Sequence, residues 1–138
     1  MGLNMYENYH FWQPILTELG YEVVRAPFGS RDLFLEGQAT IPSDTVCYPA
    51  KMMHGSVTHL IKKQGINKIF YPCMPYNFDE KISDNHYNCP VVAYYPEVLS
   101  ANMSILQDVR FWKEYFGPHN EKHFVKRLYQ FFKQDNVT

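Results

Sequence analysis

No Cys-x-x-Cys pair occurs in these 138 residues, and the seven glycines form no G-x-x-x-x-G-K-[ST], G-x-G-x-x-G or G-x-S-x-G motif. The chain therefore lacks the signatures of a zinc ribbon, a ferredoxin or a thioredoxin, of the usual ATP and NAD phosphate loops, and of a hydrolase nucleophile elbow. Charge of one sign is also missing. Thirteen Lys and Arg stand against 14 Asp and Glu, a net −1, with no block that would neutralise phosphates, so nucleic acid is not an expected partner. No apolar run approaches the roughly 20 residues that span a bilayer. The N-terminus has neither the basic nor the hydrophobic region of a signal peptide. Met1-Gly2 does not complete a myristoylation signal, because Tyr6 stands where Ser or Thr is required. A soluble, cytoplasmic protein with no membrane partner is the expectation. Three cysteines cannot all pair, which favours reduced thiols or metal ligands over a secreted disulfide framework. In that context the glycosylation-like tripeptides at Asn102 and Asn136 are chance matches.

What is present is core material. Apolar residues make up 46% and aromatics 17% of a chain the size of one domain, enough for a packed interior without disulfide staples. Residues 1–138 are expected to form a single α/β domain. It is expected to be a piece of a larger multidomain protein, because an apolar segment starts with no polar lead-in.

Periodicity predicts the elements. Gly2 to Tyr6 reads as a strand; Trp12, Ile15, Leu16 and Leu19 mark a helix over Tyr9 to Leu19, with Gly20 at its cap. Tyr21 to Ala26 reads as a second strand between Gly20 and Pro27-Phe28-Gly29, followed by a short helix from Ser30 that Gly37 ends. Ser43 or Asp44 is placed to cap the next helix, whose apolar stripe is Met53, Val57, Leu60 and Ile61 and whose first turn holds Cys47. Lys68 to Tyr71 and Val91 to Tyr95 read as strands, Val109 to Trp112 as a weaker one, and Glu121 to Lys133 as a final helix. Strands alternating with helices predict a small parallel sheet in a three-layer sandwich, flavodoxin-like or Rossmann-like. Its ligand crevice is expected at the C-terminal ends of strands, after Tyr6, Tyr71 and Tyr95.

Chemistry concentrates on the cysteines. Cys47, Cys73 and Cys89 each lie beside proline at an element boundary, and thiolates are soft donors suited to iron–sulfur clusters and zinc. Spacing alone favours partly buried thiols acting as small apolar residues, ahead of a bound metal. Zinc completed by His54 or His86 is the nearest metal alternative to a cluster. Cys47, Lys51 and His54 fall at i, i+4 and i+7 on one side of a helix, where the macrodipole favours thiolate, although Lys51 and His54 equally suit a solvated face. Glu7 and Glu97 point towards the expected crevice, with water-facing carboxylates as the ordinary alternative. A Cys-His hydrolase using Cys47 or Cys73 with His54 or His86 is the competing enzyme class, but it lacks an orienting third residue.

At these same places the chain resembles a known family. The matching stretches are Asn4-Met5-Tyr6-Glu7-Asn8-Tyr9, Ile41-Pro42-Ser43 through Cys47-Tyr48-Pro49-Ala50-Lys51 to His54-Gly55, Phe70-Tyr71-Pro72-Cys73, and Asp84-Asn85-His86-Tyr87-Asn88-Cys89-Pro90. They resemble the domain of unknown function found in large proteins related to 2-hydroxyacyl-CoA dehydratase activators, also called CoA enzyme activases. The resemblance implies a domain that accompanies ATPase domains and is similar to a dehydratase subunit carrying a three-cysteine [4Fe–4S] cluster. Cys47, Cys73 and Cys89 are the implied ligands, with one iron left without a cysteine. It further implies an electron-transfer role in anaerobic metabolism, with a dehydratase or an acyl-CoA as possible partner. His10 and Ser56 stand where that pattern leads one to expect Pro and His, which weakens a proton-transfer role for the helix.

Overall fold

A computed structural model describes residues 3–135. Among them the chain forms five α-helices and two strands: α1 (Met5–Glu18), α2 (Arg31–Gly37), α3 (Tyr48–Lys62), β1 (Lys68–Phe70), α4 (Pro90–Asn102), β2 (Arg110–Trp112) and α5 (Glu121–Lys133). The 3-10 turns Gln38–Thr40 and Ser104–Asp108 follow α2 and α4. β1 and β2 pair in parallel, with Ile69 opposite Phe111, so the domain is a small α/β fold with a parallel sheet.

Strand geometry sends alternate side chains to opposite faces. Ile69 and Tyr71 enter a core with Met53 and Val57 of α3 and Tyr95 and Leu99 of α4. Phe70 turns the other way and packs with Trp12 of α1, Phe116, and Phe124 and Phe131 from α5. Helices therefore cover both faces, as the predicted three-layer arrangement requires.

Three predicted strands are corrected. Met5 and Tyr6 belong to α1, Leu3 and Asn4 form a turn, and the start of that predicted strand lies outside the described residues. Tyr21 to Ala26 has no regular secondary structure and joins no strand among the described residues. Val91 to Tyr95 is part of α4. A five-residue apolar run does not separate a buried strand from a buried helix. The deciding features are Pro90, whose missing N–H costs nothing in a first turn, and the recurrence of buried residues at Leu99 and Met103, four apart. α1 also starts earlier than expected, so Pro14 falls mid-helix, where it is exposed and the carbonyl it leaves unpaired can face water.

The predicted helix after Gly29 is present: Ser30 Oγ accepts from the Leu33 N–H at 3.1 Å. α5 matches its predicted span, with Asn120 Oδ1 accepting from the His123 N–H. The expected cap of α3 by Ser43 or Asp44 is not formed. Cys47 occupies the N-cap without a side-chain bond, and Ser43 Oγ bonds Thr45 instead.

α3 is buried continuously from Met52 to Thr58. Such burial requires close approach, and glycine supplies it. A Cβ on Gly55 would lie 1.8 Å from the Leu33 carbonyl oxygen, and one on Gly37 would lie 2.1 Å from the Gly55 nitrogen. In an open helix, Gly→Ala stabilises by about 1 kcal/mol. Here the sign reverses: Gly55→Ala is expected to lose about 1–3 kcal/mol through overpacking, read as a lower midpoint in urea denaturation.

Candidate functional site

The cysteines sit where backbone elements end. Cys47 is the N-cap of α3 and Cys89 the N-cap of α4, both exposed, each followed by proline in the first helical turn. Proline suits that turn, and the unpaired N–H groups of a helix start stabilise a nearby thiolate. Cys73 follows β1 and is fully buried. Its N–H donates to the Glu114 carbonyl, and its own carbonyl accepts from the Phe116 N–H at 3.0 Å, which extends the β1–β2 pairing.

Two bonds tie the segment before α4 to the segment after β1. The Asn88 N–H donates to the Pro75 carbonyl, and Asn88 Nδ2 donates to the Met74 carbonyl at 2.7 Å. On the other side, Asn8 Nδ2 reaches Met74 Sδ at 3.7 Å. The start of α1 and the loop after β1 thus lie together, but of the three expected strand ends only Tyr71 follows a strand, since Tyr6 and Tyr95 lie inside helices.

Burial raises the Cys73 thiol to about 11, Glu97 adds to the rise, and a hydrogen bond from Tyr115 opposes it. Glu97 is ion-paired with Lys113 and accepts from the Tyr115 hydroxyl at 3.3 Å. It belongs to the surroundings of Cys73. Glu7 is more distant in role: it is exposed and accepts from Asn77 Nδ2 at 2.8 Å.

His54 is fully buried, not on the solvated face that its neighbours allowed. The Thr40 hydroxyl donates to the Gly37 carbonyl, so its contact with His54 Nδ1 at 2.7 Å makes Nδ1–H the donor. His54 Nε2 is then left to accept from the Tyr95 hydroxyl at 2.9 Å. Both nitrogens are engaged, leaving neither free to ligate zinc or take a thiol proton. This removes His54 from the zinc and Cys-His hydrolase readings. Lys51 instead donates to the Asp44 carbonyl at 2.7 Å, fastening the loop before Cys47. His86 lies in a separate aromatic group with Tyr76, Tyr87 and His119.

Sequence reasoning passed over the tyrosines. The Tyr71 hydroxyl is buried and has no hydrogen-bond partner among the described residues. Burial chiefly raises its pKa, with contributions from Tyr95, Cys73 and Cys47. Tyr95, raised to about 12 mainly by burial, also senses Cys47. The only available signal was tyrosine's recurrence beside the cysteines, in Tyr71-Pro72-Cys73 and Cys47-Tyr48.

The three thiols thus stand at the ends of elements in a parallel α/β domain. A model of the CoA enzyme activase uncharacterised domain matches residues 1–138, and the chain belongs to that family. Neither a curated protein nor a solved structure matches it. No helix among the described residues is long and apolar enough to cross a membrane.

The donor set fits an iron–sulfur group in kind. It offers three soft sulfur donors, two at helix starts, and a buried hydroxyl with no acceptor near two of them. It is not gathered as a finished site: among the described residues no three Cys, His, Asp or Glu side chains stand together so as to hold a metal ion.

Two outcomes are expected. Burial lowers His54 from 6.5 to about 4, so the unfolded chain takes up a proton that the folded chain refuses. Stability is therefore full above 6.5 and falls by on the order of 3 kcal/mol as pH drops towards 4, and His54→Gln should flatten that part of the urea-midpoint profile. Tyr71→Phe removes an unpaired buried hydroxyl and should stabilise the metal-free protein by about 1 kcal/mol in the same assay.

Proposed function

We propose that this domain uses Cys47, Cys73 and Cys89 to hold a [4Fe–4S] cluster and serves electron transfer in a CoA enzyme activase-related protein. The observation that carries the reading is the unpaired, buried Tyr71 hydroxyl, influenced by both Cys47 and Cys73. An orphaned donor is costly in a dry interior, and a thiolate or sulfide acceptor would satisfy it. When bound, such a cluster supplies a one-electron couple, with one iron open to an outside ligand if only three cysteines hold it.

The chain's own residues would divide the work. Cys47 and Cys89 hold from helix starts and Cys73 from the end of β1. Tyr71 donates towards sulfur, Tyr95 keeps His54 neutral and fixed, and the Glu97–Lys113 pair balances charge beside Cys73. Lys51 shapes the Cys47 loop rather than acting as a ligand. ATPase domains of a larger parent protein are the proposed partners, with a dehydratase or an acyl-CoA substrate beyond them.

A second reading has its own support. The absence of a gathered donor group among the described residues, with two thiols exposed, also suits a noncatalytic docking module, in which structural zinc would need the thiols to converge as a cluster would. Oxygen-free purification followed by reconstitution with iron and sulfide separates the two. The cluster reading expects about four iron and four acid-labile sulfide per chain, a visible charge-transfer band, and loss of iron when any single cysteine becomes Ala. Full iron loading in all three single variants would overturn it. So would stoichiometric zinc without sulfide, which would establish the docking reading.

A further inference from the structure

The three candidate thiols differ in what holds their sulfur atoms. Cys47 and Cys89 stand at helix starts and make no side-chain capping bond. Cys73 instead pairs in parallel with Tyr115, just beyond the ends of β1 and β2. Two backbone bonds fix that pairing. The Cys73 N–H donates to the Glu114 carbonyl at 2.9 Å, and the Phe116 N–H donates to the Cys73 carbonyl at 3.0 Å. Residues opposite one another in a sheet send their side chains to the same face. The Tyr115 phenol accordingly stands on the side of the buried Cys73 sulfur and hydrogen-bonds it.

The phenol has a second acceptor. Its hydroxyl lies 3.3 Å from Glu97 Oε1 on α4, long for a bond between two oxygens. The other oxygen of Glu97 is ion-paired with Lys113, which weakens the carboxylate's pull on the phenol. A phenol has one proton to give, so Glu97 and the Cys73 sulfur compete for it. A sulfur that ligates iron does so as thiolate, and an ionised acceptor makes the stronger bond. Tyr94 packs its ring beside Tyr115, centroids 6.2 Å apart, but its hydroxyl takes part in neither bond.

We propose that Tyr115 sets the reduction potential of the cluster through Cys73, its hydroxyl donating to the Cys73 sulfur and favouring the reduced state. The proposal rests on the cluster reading and adds to it which side chain adjusts the couple. One electron from a low-potential reductant enters the cluster, no bond breaks, and Tyr115 keeps its proton. The added charge spreads over iron and sulfur, and a donor aimed at a sulfur stabilises it. Because Cys73 is shut off from water, that stabilisation is little screened. Glu97 opposes the effect by drawing the proton away, and Lys113 limits that opposition. Tyr115 is a positioning residue in this scheme: it acts on the cluster only through the sulfur it holds.

The test loads the protein with iron and sulfide without oxygen, then titrates it with dithionite in the presence of low-potential dyes while following the paramagnetic signal. Tyr115→Phe keeps the ring and removes only the hydroxyl. It is expected to retain its iron and acid-labile sulfide and to be about tenfold harder to reduce, a shift of about 59 mV to lower potential for one electron. Tyr94→Phe, which removes a neighbouring hydroxyl that bonds no sulfur, should leave the potential unchanged. An unchanged potential in fully loaded Tyr115→Phe overturns the proposal and leaves the cluster reading standing. An equal shift in Tyr94→Phe also overturns it, because a general change in surroundings would then account for both. Loss of iron from Tyr115→Phe overturns it in favour of a purely structural hold on Cys73. Failure of the unsubstituted protein to take up a cluster overturns the cluster reading and this proposal together.

Discussion

The close crossing of α2 and α3 is the constraint on which the interior depends. With no side chain at Gly37 or Gly55, the helices approach until backbone meets backbone, and Leu33 seals the contact. The same approach places Thr40 on one nitrogen of His54, while Tyr95 of α4 takes the other. A buried imidazole is tolerable only when both nitrogens are satisfied. The glycine contact and the hydrogen-bonded chain are therefore two aspects of one packing solution, and together they set α4 against α3. Since those helices begin at Cys89 and Cys47, the packing also sets where two of the three thiols stand.

The third thiol depends on the sheet. Cys73 continues the β1–β2 pairing into the loop and is shut off from solvent, which explains why its thiol is held protonated while the other two remain exposed. Tyr71, two residues earlier, faces the same side of the strand as Ile69 and carries its hydroxyl into the core. A polar group placed there without a partner among the described residues sets this region apart from the apolar packing around it. Elsewhere the ion pairs hold the periphery: Asp135 joins Lys68 and Arg110 at the start of both strands, and Glu114 joins Arg127 of α5.

Much of the helical architecture was legible in the residues. α5 carries Phe124, Leu128, Phe131 and Phe132 at helical spacing between an Asn cap and terminal Lys133, so local signals agree with the final packing. α2 has a serine cap and a terminal glycine, and β1 is a short apolar run between turn signals. The segment 91–95 was not legible, because its five residues suit either a buried strand or a buried helix and only the chain beyond Pro96 decides. Tyr21 to Ala26 has strand composition, yet strand identity requires a neighbour to share hydrogen bonds, and none is supplied among the described residues.

By itself the sequence determined the α/β class, the boundaries of the better-capped helices, the family to which the chain belongs, and the three sulfur atoms as its distinctive chemistry. These depend on local periodicity, capping and residue type, which a linear string carries. Only the tertiary structure decided that His54 is a buried, doubly bonded imidazole rather than a surface base. It likewise decided that Cys73 is enclosed while Cys47 and Cys89 are exposed, and that the Tyr71 hydroxyl has no hydrogen-bond partner among the described residues. Each of those outcomes depends on atoms contributed by segments distant in sequence, and burial and hydrogen bonding are properties of that juxtaposition rather than of any one residue.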